Sequence, residues 1–192
     1  LDNGDTLIVH LRMTGRLLVK GADEAPGPHT HVLMELDDGS RLHYQDARKF
    51  GRMWLTNEPE TLLARLGPEP LGDQFTAEAL AVRLAGRKAS IKALLLDQGI
   101  VSGIGNIYAD EALWMARVHW ATPGAALSAR KTREVLEAAR EVMARSIEAG
   151  GTSFDRLYVN VNGSSGYFQR DLFAYGQEGL PCARCGTPII RE

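Results

Sequence analysis

Chemistry in this chain concentrates at a few short segments. Gly99-Ile100-Val101-Ser102-Gly103-Ile104-Gly105-Asn106 places three glycines between two stretches of helical period. Glycine lets a backbone approach a ligand closely, and a helix starting at Asn106 would offer free N–H groups and a positive dipole end to a phosphate. A helix–helix connection with glycine caps accounts for the same pattern equally well. A dinucleotide fingerprint does not, because Tyr108 stands where a third glycine is required and the preceding segment is not strand-like. Upstream, Arg83, Arg87, Lys88 and Lys92 form a run of cations with no acid between Glu78 and Asp97. Such runs are usually solvated helix faces. Beside a glycine-rich turn, these cations also suit phosphate contact, which combines Lys/Arg with main-chain donors.

Two further segments mix cations with bare apolar side chains. Arg48-Lys49-Phe50-Gly51 sets an aromatic between cations and a glycine, and Met13-Thr14-Gly15-Arg16 is similar. Apolar wedges flanked by arginine suit insertion into a base stack, although Met or Phe alone is more often a core residue. Cys182-Ala183-Arg184-Cys185, followed by Gly186, has the spacing of half a zinc knuckle. The residues after it contain no further Cys or His, so two buried thiols or a redox pair compete with a metal site. The five histidines lack metal-ligand spacing, and Asp110-Glu111 are adjacent on an expected helix and do not face each other. No nucleophile–base pair stands out.

These segments need elements to hold them. Thr6–Leu11, Arg16–Val19, His31–Leu36, Arg41–Tyr44 and Arg52–Thr56 have the composition and alternation of antiparallel strands. Val32, Met34 and Leu36 should share one face, and Asp37-Asp38-Gly39-Ser40 should close a hairpin. Beyond the Pro- and Gly-rich stretch Leu66–Gly72 the period changes from 2 to 3.6. Helices are expected over Thr76–Leu84, Ile91–Leu96, Asn106–Ala116 and Ser128–Ala149. The last carries Val135, Leu136, Ala139, Val142, Met143 and Ile147 on one stripe and stops at Gly150-Gly151. Short strands are expected around Phe173 and the two cysteines.

The chain has 192 residues, 44% hydrophobic and 24% charged, with a formal net charge of −2. These values exclude a disordered or collagen-like chain. No apolar run approaches the roughly 20 residues of a membrane span. No global polycation advertises a polyanionic partner, so any nucleic acid must be held by local patches. Two cysteines are too few for a disulfide framework and point to a reducing, cytoplasmic setting. Leu1-Asp2-Asn3-Gly4-Asp5 has neither a signal peptide's pattern nor an initiator Met, and reads as the interior of a longer chain.

Taken together, His10–Gly15, Asp46–Gly51, Leu66–Leu71, Gly103–Glu111, Gly166-Tyr167-Phe168 and Pro181–Ile189 resemble, in order, the formamidopyrimidine-DNA glycosylase and endonuclease VIII family. The Met, Arg and Phe spacing favours the formamidopyrimidine branch. The resemblance implies an α+β protein, with an antiparallel β-sandwich over 1–62, a linker over 63–72, a helix–two-turns–helix domain with a lesion-capping loop over 73–165, and the start of a zinc finger over 166–192. It implies base excision repair, in which an oxidised purine is flipped from duplex DNA, its glycosidic bond is cut through a Schiff base, and the strand is nicked by β,δ-elimination. Met13, Arg48 and Phe50 would fill the gap, with Arg48 meeting the orphaned cytosine. Lys92 and Asn106 would hold phosphates, with Tyr108 beside them, and His29 and Arg87 would make further DNA contacts. Cys182 and Cys185 would hold one structural zinc ion with ligands from elsewhere. The implied partner is double-stranded DNA bearing an oxidised purine or an abasic site, met by a monomer in the nucleoid-associated cytoplasm.

The family's N-terminal proline nucleophile and adjacent glutamate have no match at Leu1-Asp2, nor do its early-strand lysine and the second half of its zinc finger match here. No catalytic residue is therefore assigned within these residues. A non-catalytic sensor of damaged DNA is the alternative from a different class, and a cysteine-pair redox protein is a third.

Overall fold

A computed structural model describes residues 1–151, 161 and 166–191. The chain divides into two compact units, one of residues 1–63 and 148–169, the other of residues 64–147 and 170–192.

The first unit holds two small antiparallel sheets. β1 (Thr6–His10) pairs with β5 (Arg52–Thr56), His10 lying opposite Arg52. In the other sheet β4 (Arg41–Asp46) lies between β2 (Gly15–Lys20) and β3 (Thr30–Glu35). The hairpin between β3 and β4 forms as its turn residues predict. Gly39 takes a left-handed φ of 80°, and Ser40 N–H donates to Asp38 Oδ1 at 2.9 Å. Val32 and Met34 are half-buried as expected, but Leu36 falls beyond β3 and is exposed.

β4 runs two residues past its expected end at Tyr44. Gln45 and Asp46 carry no hydrophobic signal, yet both are buried because partners wait on each side. Arg16 Nε donates to Gln45 Oε1 at 3.0 Å, and Gln45 Nε2 donates to Thr30 Oγ1 at 3.1 Å. The residues just beyond the long helix group with these strands and not with the helical domain. There Tyr167 N–H donates to Ala149 O, Phe168 N–H to Gly151 O, and Val19 N–H to Val161 O. The expected lesion-capping loop, Thr152–Gly166, lies almost wholly outside the described residues.

The second unit is helical. After the short α1 (Pro59–Leu63) of the first unit come α2 (Ala77–Leu84), α3 (Ile91–Leu96), α4 (Asn106–Ala116) and α5 (Ala129–Glu148). Thr76 caps α2 by accepting Ala79 N–H at 3.2 Å, and Ser90 caps α3 by accepting Ala93 N–H at 3.3 Å. Leu80, Leu84, Ile91, Leu95, Val101, Ile104, Ala109, Val135 and Ala139 form its core. Ile147, expected on the apolar stripe of α5, is 66% exposed, one turn past the last residue of that stripe to be buried.

The Pro- and Gly-rich stretch before α2 is pinned to this unit. Arg140 of α5 donates to the carbonyls of Pro70, Gly72 and Phe75 at 2.7, 3.1 and 2.6 Å. A single guanidinium thereby satisfies three acceptors that no regular element pairs. Residues 168–171 form a 3₁₀ turn. The strands expected around Phe173 do not form, because backbone N–H groups there are taken by a carboxylate from α4, described below. Pro181 and Pro188 make an isolated antiparallel bridge around the cysteines. No helix among the described residues is long and apolar enough to cross a membrane.

Candidate nucleic-acid interface

In the first unit, the residues expected to enter DNA stand on tips between strands. Met13 is 56% exposed and Phe50 54% exposed. Large apolar side chains held this far out of a core have nothing to gain from the fold itself. The alternative reading of both as core residues is therefore removed. Arg48 and His29 are exposed as well.

Backbone geometry fixes these tips. Gly15 N–H donates to Leu11 O at 3.0 Å, and a Cβ on Gly15 would lie 2.4 Å from that oxygen, so only glycine closes the turn. Among the described residues, four non-glycine positions have positive φ, and three of them flank or form the tips: Arg12 at 53°, His29 at 62° and Lys49 at 57°. Left-handed backbone costs about 1–2 kcal/mol in an ordinary residue and clusters where function requires it.

At the foot of the tips lies Asp46, only 1% exposed. Its carboxylate accepts hydrogen bonds from Thr14 Oγ1, Tyr44 Oη, Arg48 N–H and Gly51 N–H. Burial alone would raise its pKa. The bonds from Thr14, Gly51, Tyr44 and Arg48 outweigh that penalty and hold it at about 2. The Tyr44 phenol is pushed up, by burial first and then by the neighbouring carboxylate. Sequence reasoning passed over Asp46, though it lies within a segment that carried the family resemblance. The available signal was an acid ending a strand beside a loop of cations.

In the second unit, the glycine-rich turn is organised by Gln98. Its Oε1 accepts Gly103 N–H at 2.9 Å, its Nε2 donates to Ile104 O at 2.9 Å, and its carbonyl accepts Gly67 N–H at 2.6 Å. Gly103 is left-handed at 81°. Gly105 is the N-cap of α4 and has no side chain to close the first turn, so Asn106 begins the helix exposed.

Lys92 Nζ lies 2.7 Å from Asp110 Oδ1. Asn106 and Asp110 are four residues apart on α4 and share a face, so Lys92 and Asn106 sit on the same side of this unit. The cation run thus has an acidic partner that the linear sequence hid. Arg83 donates to Gly99 O at 3.2 Å, which keeps that cation beside the turn, and Arg87 Nε donates to Arg83 O at 3.0 Å. Tyr108 turns the other way, its hydroxyl 2.9 Å from Ser146 Oγ on α5.

Asp110 and Glu111 have different tasks, which adjacency alone did not reveal. Glu111 is 3% exposed, and its carboxylate accepts the N–H groups of Phe173, Ala174 and Tyr175 at 2.9, 2.7 and 2.8 Å. Phe173 stacks on Trp114, with ring centroids 4.6 Å apart, and Arg184 lies 4.1 Å over the Trp114 ring. Trp114 Nε1–H donates to Cys182 Sγ at 3.5 Å. The Cys182 thiol is pulled down to about 7, first by that bond and then by the N–H groups of Arg184 and Cys185. Gly186 N–H donates to Cys182 O at 2.8 Å, closing a turn that holds both sulfurs. Two thiols in an N–H-rich turn suit half of a tetrahedral thiolate site. Among the described residues, no group of three or more potential ligands gathers there or elsewhere.

Residues 1–53 match the family model described as the formamidopyrimidine-DNA glycosylase N-terminal domain, and residues 66–156 match that of the formamidopyrimidine-DNA glycosylase H2TH domain. The chain is 50% identical over 193 residues to the formamidopyrimidine-DNA glycosylase of Herpetosiphon aurantiacus, covering all of this chain and 70% of that protein. It is 48% identical to the Nocardioides protein of the same name, covering 67% of it. Among solved structures, the MutM (Fpg) protein of Thermus thermophilus superposes with a TM-score of 0.87 at 38% identity, over 100% of this chain and 71% of that one. The Lactococcus lactis Fpg bound to DNA containing an abasic site gives 0.87 at 33% identity, over 98% and 70%.

Proposed function

We propose a function from one premise: the chain belongs to the formamidopyrimidine-DNA glycosylase family. It is a base excision repair glycosylase that removes oxidised purines, 8-oxoguanine and formamidopyrimidines, from duplex DNA, with an associated lyase step. The observation that carries this reading for the chain's own residues is the pair of exposed apolar tips, Met13 and Phe50, in a unit with a buried anchor beneath them. Extruding a base leaves a hole in the stack and costs a few kcal/mol. A methionine and a phenylalanine inserted there return part of that energy, while Arg48 meets the base left without a partner. Lys92, Arg87 and the open first turn of α4 at Asn106 grip the backbone, which fixes register without reading sequence. His29 adds a further contact from its own tip. The Ser146 bond gives Tyr108 a supporting part, holding α4 against α5 behind Asn106.

None of these residues breaks a bond. They bend, fill and hold, so that the chemistry meets a base already out of the helix. Cys182 and Cys185 would hold a structural zinc ion together with two further ligands. The ion would stiffen the turn that Trp114 and Arg184 brace. A cytoplasmic, nucleoid-associated setting follows from the substrate.

The lyase reading is tested by borohydride trapping. Incubation with 8-oxoguanine duplex should yield a covalent protein–DNA adduct. Absence of an adduct, with binding to the same duplex retained, would instead support a non-catalytic sensor of damage.

A further inference from the structure

The roles above leave Asp46 without a task, although its bonds reach the Thr14, His29 and Arg48–Gly51 tips of the first unit. Oδ1 accepts the Thr14 hydroxyl and, at 3.2 Å, the Arg48 N–H, while Oδ2 accepts Tyr44 Oη at 3.1 Å and Gly51 N–H at 2.8 Å. Its main chain continues the set. Asp46 N–H donates to His29 O at 3.0 Å, and its carbonyl accepts His31 Nε2 at 2.8 Å and Lys49 N–H at 3.4 Å. Gly51 passes so close that a Cβ there would lie 1.9 Å from Tyr44 Oη.

We propose that Asp46 is a positioning residue: a buried carboxylate that fixes the Met13, His29 and Arg48–Phe50 tips in the arrangement that distinguishes lesion-bearing from intact duplex. The inference rests on the repair reading above and deepens it. Its physical basis is the donor count. Two backbone N–H groups and two hydroxyls converge on one side chain, and only a carboxylate presents two acceptor oxygens to them. An amide in its place must turn its NH₂ toward one of the two backbone N–H groups, whichever way it is flipped, because only the hydroxyls can reverse and accept. Two of the segments tethered here, at His29 and Lys49, hold left-handed non-glycine backbone, which relaxes when its restraints are removed. A tip that must be ordered at the moment of insertion inserts less often than one already in place.

The test uses the full-length protein as wild type and as Asp46→Asn, Thr14→Val and Thr14→Ser. Three quantities are read: amide hydrogen exchange at Arg48 and Gly51, the melting temperature, and affinity for a duplex containing a tetrahydrofuran abasic-site analogue against an intact duplex. Asp46→Asn should speed exchange at both amides and reduce the preference for the damaged duplex about tenfold, with intact-duplex affinity little changed. Thr14→Val should lose part of the preference, and Thr14→Ser, which keeps the hydroxyl, should restore it. If Asp46→Asn does not fold, the Thr14 pair decides alone. Unchanged preference in folded variants, or an equal loss on both duplexes, overturns the assignment. A wild-type protein with no preference for the damaged duplex overturns the repair reading itself and takes this inference with it.

Discussion

An apolar side chain on a loop tip gains little for the folded protein, so its substitution separates function from stability. Phe50 is the clearest case. Phe50→Ala should change stability by no more than about 0.5 kcal/mol, the usual range for an exposed site, while impairing lesion discrimination. Paired thermal melts and binding to damaged and intact duplexes check both halves. Asp46 is the opposite case, silent on the surface and costly to alter. Its folded pKa of about 2 lies below the ordinary carboxylate value, so its ionised form stabilises the fold at neutral pH. That contribution is intact above about pH 4 and should fade as pH falls toward 2. An acid-unfolding series should show a limb in this window that is absent from Asp46→Asn. At this scale the sequence points to chemistry where residue type and local spacing carry it, as for Phe50 beside cations, which the fold leaves exposed. For Asp46 the sequence carried only an acid ending a strand beside cations, and the donor that completes its set, Thr14, lies 32 residues away.

Elements with local signals matched their expected bounds closely. α2, α3 and α4 begin beside a side-chain cap or a glycine turn, and these act within one turn of the chain. Elements that depend on distant partners did not. The segment after the 3₁₀ turn was expected to form strands, but Glu111 takes the N–H groups of Phe173, Ala174 and Tyr175. A carboxylate some 60 residues upstream leaves no local trace in the segment it captures. Because α4 carries Asn106 at one end and Trp114 near the other, Glu111 also ties the glycine-rich turn to the cysteine knuckle. Glu111→Ala should destabilise the protein by about 3 kcal/mol, since it leaves three backbone donors without their charged acceptor. Urea unfolding followed by Trp114 fluorescence, with the other tryptophans replaced by phenylalanine, reads both the loss of stability and the release of the Phe173 stack.

For the whole molecule, net charge misleads. A chain at −2 is no generic binder of nucleic acid, and the proposed grip rests on a few cations set beside open backbone. The chain spans about 70% of its relatives' length, and within that span the family is legible in the sequence itself. Ordered motifs spread over both units carried the recognition. What a linear reading missed were the partners inside each unit, Asp110 on Lys92 and Arg140 on the Pro- and Gly-rich stretch. They bring together residues 18 and 70 positions apart.

The proposed function divides labour between a cationic turn that holds any duplex and an apolar tip that selects the damaged one. Salt titration of binding to intact and abasic-site duplexes, for wild type, Lys92→Ala and Phe50→Ala, tests it most directly. Lys92→Ala should weaken both duplexes alike and lower the slope of log affinity against log salt by about one. Phe50→Ala should leave the slope unchanged and erode only the preference for damage. If the two variants give the same slope and the same preference, the division does not exist.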